Sequence, residues 1–148
     1  MKTGNNGIKL IKDFEGCSLK AYRDPVTGNL PITIGFGNTF YEDGSKIKLT
    51  DTITKEEAEH LLMALLPKFE KIVNNKITIE LTQNQFDALV SHTWNTGGSK
   101  TLFHFINSKA GDNAIKTWFT TKYISANGIE SNGLKRRRKA ECDLYFKK

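Results

Sequence analysis

The 148-residue chain has little cysteine, proline or histidine: two, three and three residues respectively. Cys17 and Cys142 lie far apart, with neither the paired spacing of a zinc site nor the density of a disulfide scaffold, so two free thiols in a reducing compartment are expected. His60, His92 and His104 form no ligand pattern, so neither a metal nor a cofactor is expected. Long apolar runs are also missing. The longest, 61–66, falls far short of the roughly 20 residues that span a bilayer, which excludes stable membrane insertion and predicts a soluble protein. The first seven residues are small and polar, and Lys9, Lys12, Asp13 and Glu15 interrupt the apolar positions of the next stretch. No signal-peptide core is read there, and export is expected to depend on another agent. No internal repeat or low-complexity segment appears, and the length leaves no room for a separate large cofactor domain.

Core formers are plentiful. Leu, Ile, Val and Phe fill 38 of 148 positions, above the roughly 20% below which disorder is the better expectation. The net charge is +6, with an isoelectric point near 9.3, which suits a polyanionic partner: nucleic acid, an anionic membrane face or an acidic wall. The densest basic run, Lys135-Arg136-Arg137-Arg138-Lys139, opens a segment with helical spacing through 146. A solvated helix face explains it better than nucleic-acid binding, so no nucleic-acid partner is expected.

Apolar residues at Ile8, Ile11 and Phe14 predict a first helix, ended by Gly16. A turn-rich segment, 22–29, precedes Ile32-Thr33-Ile34-Gly35-Phe36, which alternates like a strand with one face buried. A second turn at 42–45 leads to Ile47-Lys48-Leu49, predicting a small antiparallel sheet of two or three strands. Thr54-Lys55-Glu56-Glu57 is a capping box opening a long helix that Pro67 should bend. Thr82-Gln83-Asn84-Gln85 is a second box, and Gly97-Gly98 stops its helix. Shorter helices are expected around 102–108 and 113–122, then a turn-rich stretch at 125–133 and a last helix from about 135 to 146. Strands segregated from helices read as α+β in a single domain over 1–148. The expected parts are a sheet lobe at about 16–54, a connecting helix at about 55–75 and a helical lobe at about 80–148 that includes the N-terminal helix. A cleft between the two lobes is the expected binding site.

Two carboxyls sit in contrasting settings. Glu15 ends the first helix, where open carbonyls carry partial negative charge and favour a carboxyl that keeps its proton. Asp24 opens an Asp-Pro turn, where solvent and backbone amides favour the carboxylate. Such a pair fits acid and base roles. Singly, each has an ordinary alternative, surface charge for Glu15 and turn chemistry for Asp24.

The segment from Glu15 to Asp24, followed by Thr33-Ile34-Gly35-Phe36-Gly37-Asn38-Thr39, resembles the phage-type lysozymes and lambdoid endolysins, glycoside hydrolase family 24. Their pattern is a helix-end Glu, an Asp nine residues on and a Thr opening a Thr-Ile-Gly-Tyr-Gly-His-Thr-like strand; here Phe36 and Asn38 replace the Tyr and His. Thr93-Trp94-Asn95-Thr96-Gly97 is similar to the family's mid-chain motif, and the segment from Gly133 to Glu141 to its C-terminal helix. The resemblance spans nearly the whole chain.

It implies a lysozyme-like fold and an endolysin with muramidase activity. Such an enzyme hydrolyses the β-1,4 bond between N-acetylmuramic acid and N-acetylglucosamine in bacterial peptidoglycan. Glu15 is then the acid and Asp24 the base, with Thr33 holding the attacking water and Thr39 the fallback. Phe36, Trp94 and Asn95 are implied as substrate-binding residues and Arg137 as the cation orienting the acid, against the reading in which all three arginines face water. Inversion is implied, although residue spacing alone leaves the stereochemistry open. The resemblance further implies a monomer made in the host cytoplasm that reaches the periplasmic wall through a holin or other release factor. A lytic transglycosylase, with one Glu and no activated water, and a non-catalytic wall-binding module are the competing readings. Asp24 and Thr33 speak against the first, whereas basic charge alone would suffice for the second.

Overall fold

The computed structural model describes residues 1–23 and 30–148. In chain order the elements are α1 (Asn5–Glu15), β1 (Ser18–Arg23), β2 (Ile32–Gly35), α2 (Lys55–Lys76), α3 (Gln83–Thr96), α4 (Lys100–Asn107), α5 (Asp112–Thr121), β3 (Ser125–Ala126), β4 (Ile129–Glu130) and α6 (Asn132–Tyr145). The chain divides into two compact units. One is Lys12–Pro67; the other joins Met1–Ile11 to Lys68–Lys148. The division falls inside α1 and inside α2, so the last turn of α1, with Glu15, belongs with β1 and β2 and not with the helical unit.

In the sheet unit, β1 and β2 pair antiparallel, with Ser18 opposite Gly35, Tyr22 opposite Thr33 and Arg23 opposite Ile32, and an irregularity between Ser18 and Tyr22. Two expectations fail here. The sheet has two strands, but the strand expected at 47–49 does not form: Phe40 and Lys46 make one isolated bridge, and Lys20 bridges Thr52. The strand that partners β2 is β1, whose Ser-Leu-Lys-Ala-Tyr-Arg sequence shows only half-buried and exposed positions and so carries no strong alternation to read. Nor does β2 alternate, because Thr33, Ile34 and Gly35 are all buried. Ile34, Phe36, Ile47, Ala58, Leu61 and Leu62 form the core of this unit.

α2 begins at the expected capping box. The Glu57 amide donates to Thr54 Oγ1 at 3.1 Å, and the Thr54 amide to Glu57 Oε1 at 3.4 Å. Pro67 lies inside the helix, which continues through it to Lys76. The second box forms in the same way: Thr82 caps α3 and Gln85 returns the bond, while Gly97 ends the helix with a left-handed φ of 85°.

In the helical unit α6 packs on α3 and α5. Phe86, Leu89, Leu102, Ile106 and Phe119 are buried there. Asp87, 1% exposed, fastens α1 to α3 by accepting from the Gly4 and Gly7 amides at 2.8 and 3.0 Å. A Cβ on Gly7 would come within 2.9 Å of the Asp87 Cβ, so glycine permits this approach. The turn-rich stretch at 125–133 holds a small hairpin, with Ser125 opposite Glu130 and Ala126 opposite Ile129. Asn127 and Gly128, at φ 54° and 77°, supply the two left-handed residues that a tight hairpin turn requires. No helix among the described residues is long and apolar enough to cross a membrane. Cys17 is exposed and Cys142 buried, both as free thiols.

Candidate active site

Glu15 closes α1 because Gly16 follows it. Gly16 adopts φ 66° and donates its amide to the Lys12 carbonyl at 3.0 Å, ending the helix and releasing the chain into β1. Lys12, one turn earlier, pairs with Glu59 at 3.0 Å and lies 5.7 Å from the Phe36 ring centroid. The carboxyl is therefore carried by a helix end tied to the first half of α2.

Beyond β2 the chain reverses at once. Ile34 and Asn38 exchange two backbone hydrogen bonds of 2.9 Å each, bracketing Gly35-Phe36-Gly37. Gly35 and Gly37 have φ of 67° and 82°, conformations costly for any residue with a side chain. An added Cβ at Gly37 would lie 2.7 Å from Glu15 Oε2 and would push that carboxyl aside. The Gly-Phe-Gly turn is thus the surface against which the Glu15 carboxylate rests. Asn38, buried at 3%, donates Nδ2 to the Leu61 carbonyl at 3.4 Å, anchoring the turn to α2.

Thr33 sits opposite Tyr22, and its hydroxyl donates to the Pro31 carbonyl at 3.1 Å. That bond uses the hydroxyl proton and leaves the oxygen lone pairs as acceptors. Thr39, the alternative position, is half-buried beyond the bracket. Asp24 follows Arg23 directly in the chain, but it lies outside the described residues. The sheet unit therefore brings a helix-end carboxyl and the strand carrying Thr33 to one glycine turn. Phe36, expected to meet sugar, is only 5% exposed. Its neighbours Gly35 and Gly37 offer no side chains to fill the turn, so the ring goes into the core.

The remaining expected residues lie in the helical unit. Trp94 is half-buried and tilts against Phe69 at 5.1 Å between ring centroids. Asn95 is exposed, and its side-chain oxygen accepts from Arg138 Nη2. Arg137 and Arg138 are 3% and 0% exposed, which overturns the reading of the basic run as solvated; Arg136 alone of the three arginines is exposed. Both buried guanidiniums converge on Glu141, Arg138 at 2.7 Å and Arg137 at 3.3 Å. Arg137 also donates to the Ser91 carbonyl at 3.3 Å, and the Ser91 hydroxyl donates to Glu141 at 2.6 Å. Sequence reasoning assigns no role to Glu141, Ser91 or Arg138. The three- and four-residue spacing of the arginines to Glu141 is visible in the chain, but the burial that makes it matter is not.

Burial pushes the Glu141 carboxyl above its ordinary range, opposed by Arg138, Arg137 and the Ser91 bond. The neighbouring His92 is driven down to about 3, first by burial and then by the charges of Arg138 and Arg137. Among the described residues no group of three His, Cys, Asp or Glu side chains gathers to hold a metal ion.

The family described as phage lysozyme matches residues 12–141. The endolysin of Salmonella phage P22 is 39% identical, with 99% of each chain covered. An endolysin structure from the Escherichia coli phage FAHEc1 superposes with a TM-score of 0.85 at 35% identity, covering 99% of this chain and 94% of that one. The muramidase domain of SpmX from Asticaccaulis excentricus superposes at 0.77 with 30% identity and 99% of each chain covered. Against other endolysins, from Bacillus and Lactococcus phages, the chain spans 54–61% of the relative's length.

Proposed function

The chain belongs to the phage lysozyme family, and from that premise we propose that it is an endolysin: a muramidase that hydrolyses the β-1,4 bond between N-acetylmuramic acid and N-acetylglucosamine in peptidoglycan. The observation that carries the reading is Glu15, held at a helix end with its carboxyl group against the Gly37 turn of the hairpin that bears Thr33. Cleavage requires a proton on the leaving oxygen while positive charge develops on the sugar ring, and then attack by water. Glu15 supplies the proton. Asp24 takes the proton of the attacking water, and the Thr33 oxygen accepts a hydrogen bond from that water. Water then adds from the face opposite the leaving group, and the anomeric configuration inverts. Trp94 and Asn95 contact the glycan. The protein acts as a monomer on the wall, reached through a holin or other release factor.

The test is proton NMR of fresh peptidoglycan digests, read before mutarotation, with mass analysis of the fragments. Free reducing ends and an α anomer formed first are expected. Anhydro ends would identify a lytic transglycosylase, a β anomer formed first would make Asp24 a nucleophile or remove it from the mechanism, and absence of any fragment would leave a binding module. Asp24→Asn should lose most activity, and Thr33→Ala should be impaired with its fold intact, because each removes part of the water's positioning.

A further inference from the structure

The net charge of +6 conceals a segregation. The helical unit carries 16 basic and 7 acidic residues, a net +9, while the sheet unit carries 6 and 9, a net −3. Two of the 16 cations, Arg137 and Arg138, are buried around Glu141. Three others, Lys116 of α5 and Lys135 and Lys139 of α6, line one cavity of about 610 Å³ together with Thr120, Cys142, Asp143 and Phe146.

We propose that this cavity binds a phosphodiester-linked polyol polymer of the bacterial wall, a contact separate from the hydrolytic site. Lys135 and Lys139 stand one helical turn apart on one face of α6, roughly 6 Å along its axis. Lys116 reaches in from α5, 4.7 Å from the Phe146 ring centroid. Three cations gathered around one cavity on the most basic part of the chain complement a polyanion in charge. The carboxylates nearby are weak competitors: Asp143 pairs with Lys139 at 3.0 Å and Glu130 with Lys135 at 2.6 Å, on side chains 44–72% exposed. Exposed pairs of this kind contribute about 0–1 kcal/mol and are readily exchanged. Single-stranded nucleic acid fits less well, because Lys116 lies over the ring on which a base would stack. Membrane fits less well too, because none of the exposed large hydrophobic side chains among the described residues lines the cavity.

The choice of a wall polymer rests on the lytic reading above, and the test separates the two. The probe is soluble poly(glycerol phosphate), titrated over a range of salt concentrations, with phosphatidylglycerol vesicles and DNA as comparison arms. The Lys116→Gln/Lys135→Gln/Lys139→Gln triple variant should lower the slope of log affinity against log salt by about three, one for each cation removed. A Lys→Arg triple at the same positions should keep it. The equally discharged Lys71→Gln/Lys76→Gln/Lys100→Gln control should change the slope by less than about one. Equal losses in both Gln triples would show diffuse charge and overturn the proposal, as would binding to vesicles or DNA with the same lysine dependence but none to the polymer. Peptidoglycan stripped of such polymers should be hydrolysed at the wild-type rate by the cavity variant. Failure of the lytic reading leaves the wild-type protein itself inert on that substrate; failure of this inference leaves hydrolysis intact and polymer binding indifferent to the three lysines.

Discussion

The sheet unit and the helical unit handle polar groups in opposite ways. In the sheet unit the polar chemistry rests on backbone: a helix end, a glycine turn closed by two amide bonds, and a Thr whose hydroxyl is held by a carbonyl. In the helical unit charged side chains are taken into the interior and satisfied by one another, with Arg137, Arg138, Glu141 and Ser91 forming one buried group between α3 and α6. The Glu15 carboxyl takes its position from the helix that carries it and the turn it rests on. A side-chain network of buried charges stabilises only while every member is present, because the desolvation of each ion is offset by its partners. The first arrangement should therefore be sensitive in activity and the second in stability.

The largest separation between the two should come from Glu15→Gln. Removing the only group assigned to protonate the leaving oxygen should reduce turnover by at least the roughly 10²–10⁴-fold of a general acid, and by more where the residues act as a unit. The unfolding midpoint should stay unchanged. Near-normal lysis by a folded Glu15→Gln protein would remove the residue from the mechanism.

Glu141→Ala should do the reverse. It leaves two guanidiniums buried without their carboxylate, a loss of about 3–5 kcal/mol for an unpaired buried ion, readable as a lower urea midpoint. Activity per folded molecule should fall far less than for Glu15→Gln. A variant of wild-type stability would mean that water already shares the solvation of these arginines.

A smaller effect concerns pH. His92 is held down to about 3 in the folded protein, well below the roughly 6.5 of an exposed imidazole. The unfolded chain therefore takes up a proton that the folded one refuses. The stability associated with neutral His92 is fully present above about pH 6.5 and is lost progressively as pH falls toward 3, by at most about 1.4 kcal/mol per pH unit. His92→Gln should flatten the slope of stability against pH in that window. An identical slope in the variant would assign acid sensitivity to other groups.

Local chemistry is legible in the sequence wherever the signal lies within a few residues. Both capping boxes, the Gly16 and Gly97 helix stops and the helix-end position of Glu15 depend on bonds to backbone three or four positions away, and all are present in the structure. The small hairpin at 125–130 is equally local: the segment reads as turn-rich, with Asn127-Gly128 at its centre, but strands of two residues each are too short to show a pattern. β1 is harder: its residues alternate weakly, and its neighbour besides β2 is the 51–53 segment, as the Ala21 amide to the Asp51 carbonyl and the Ile53 amide to the Leu19 carbonyl show.

By itself the sequence determined where α1 and α3 end and where α2 and α3 begin, which carboxyl stands at a helix terminus, and that two glycines flank Phe36, since these depend on backbone geometry over short stretches of chain; the last helix, expected from about 135, begins at Asn132. Only the tertiary structure decided that Phe36 turns inward, that Gly37 lies against the Glu15 carboxylate, and that of three consecutive arginines two are buried and one exposed. Burial is the reason. An arginine run reads the same whether its face meets water or a serine from across the bundle, and the difference arises only when α3, α5 and α6 pack together.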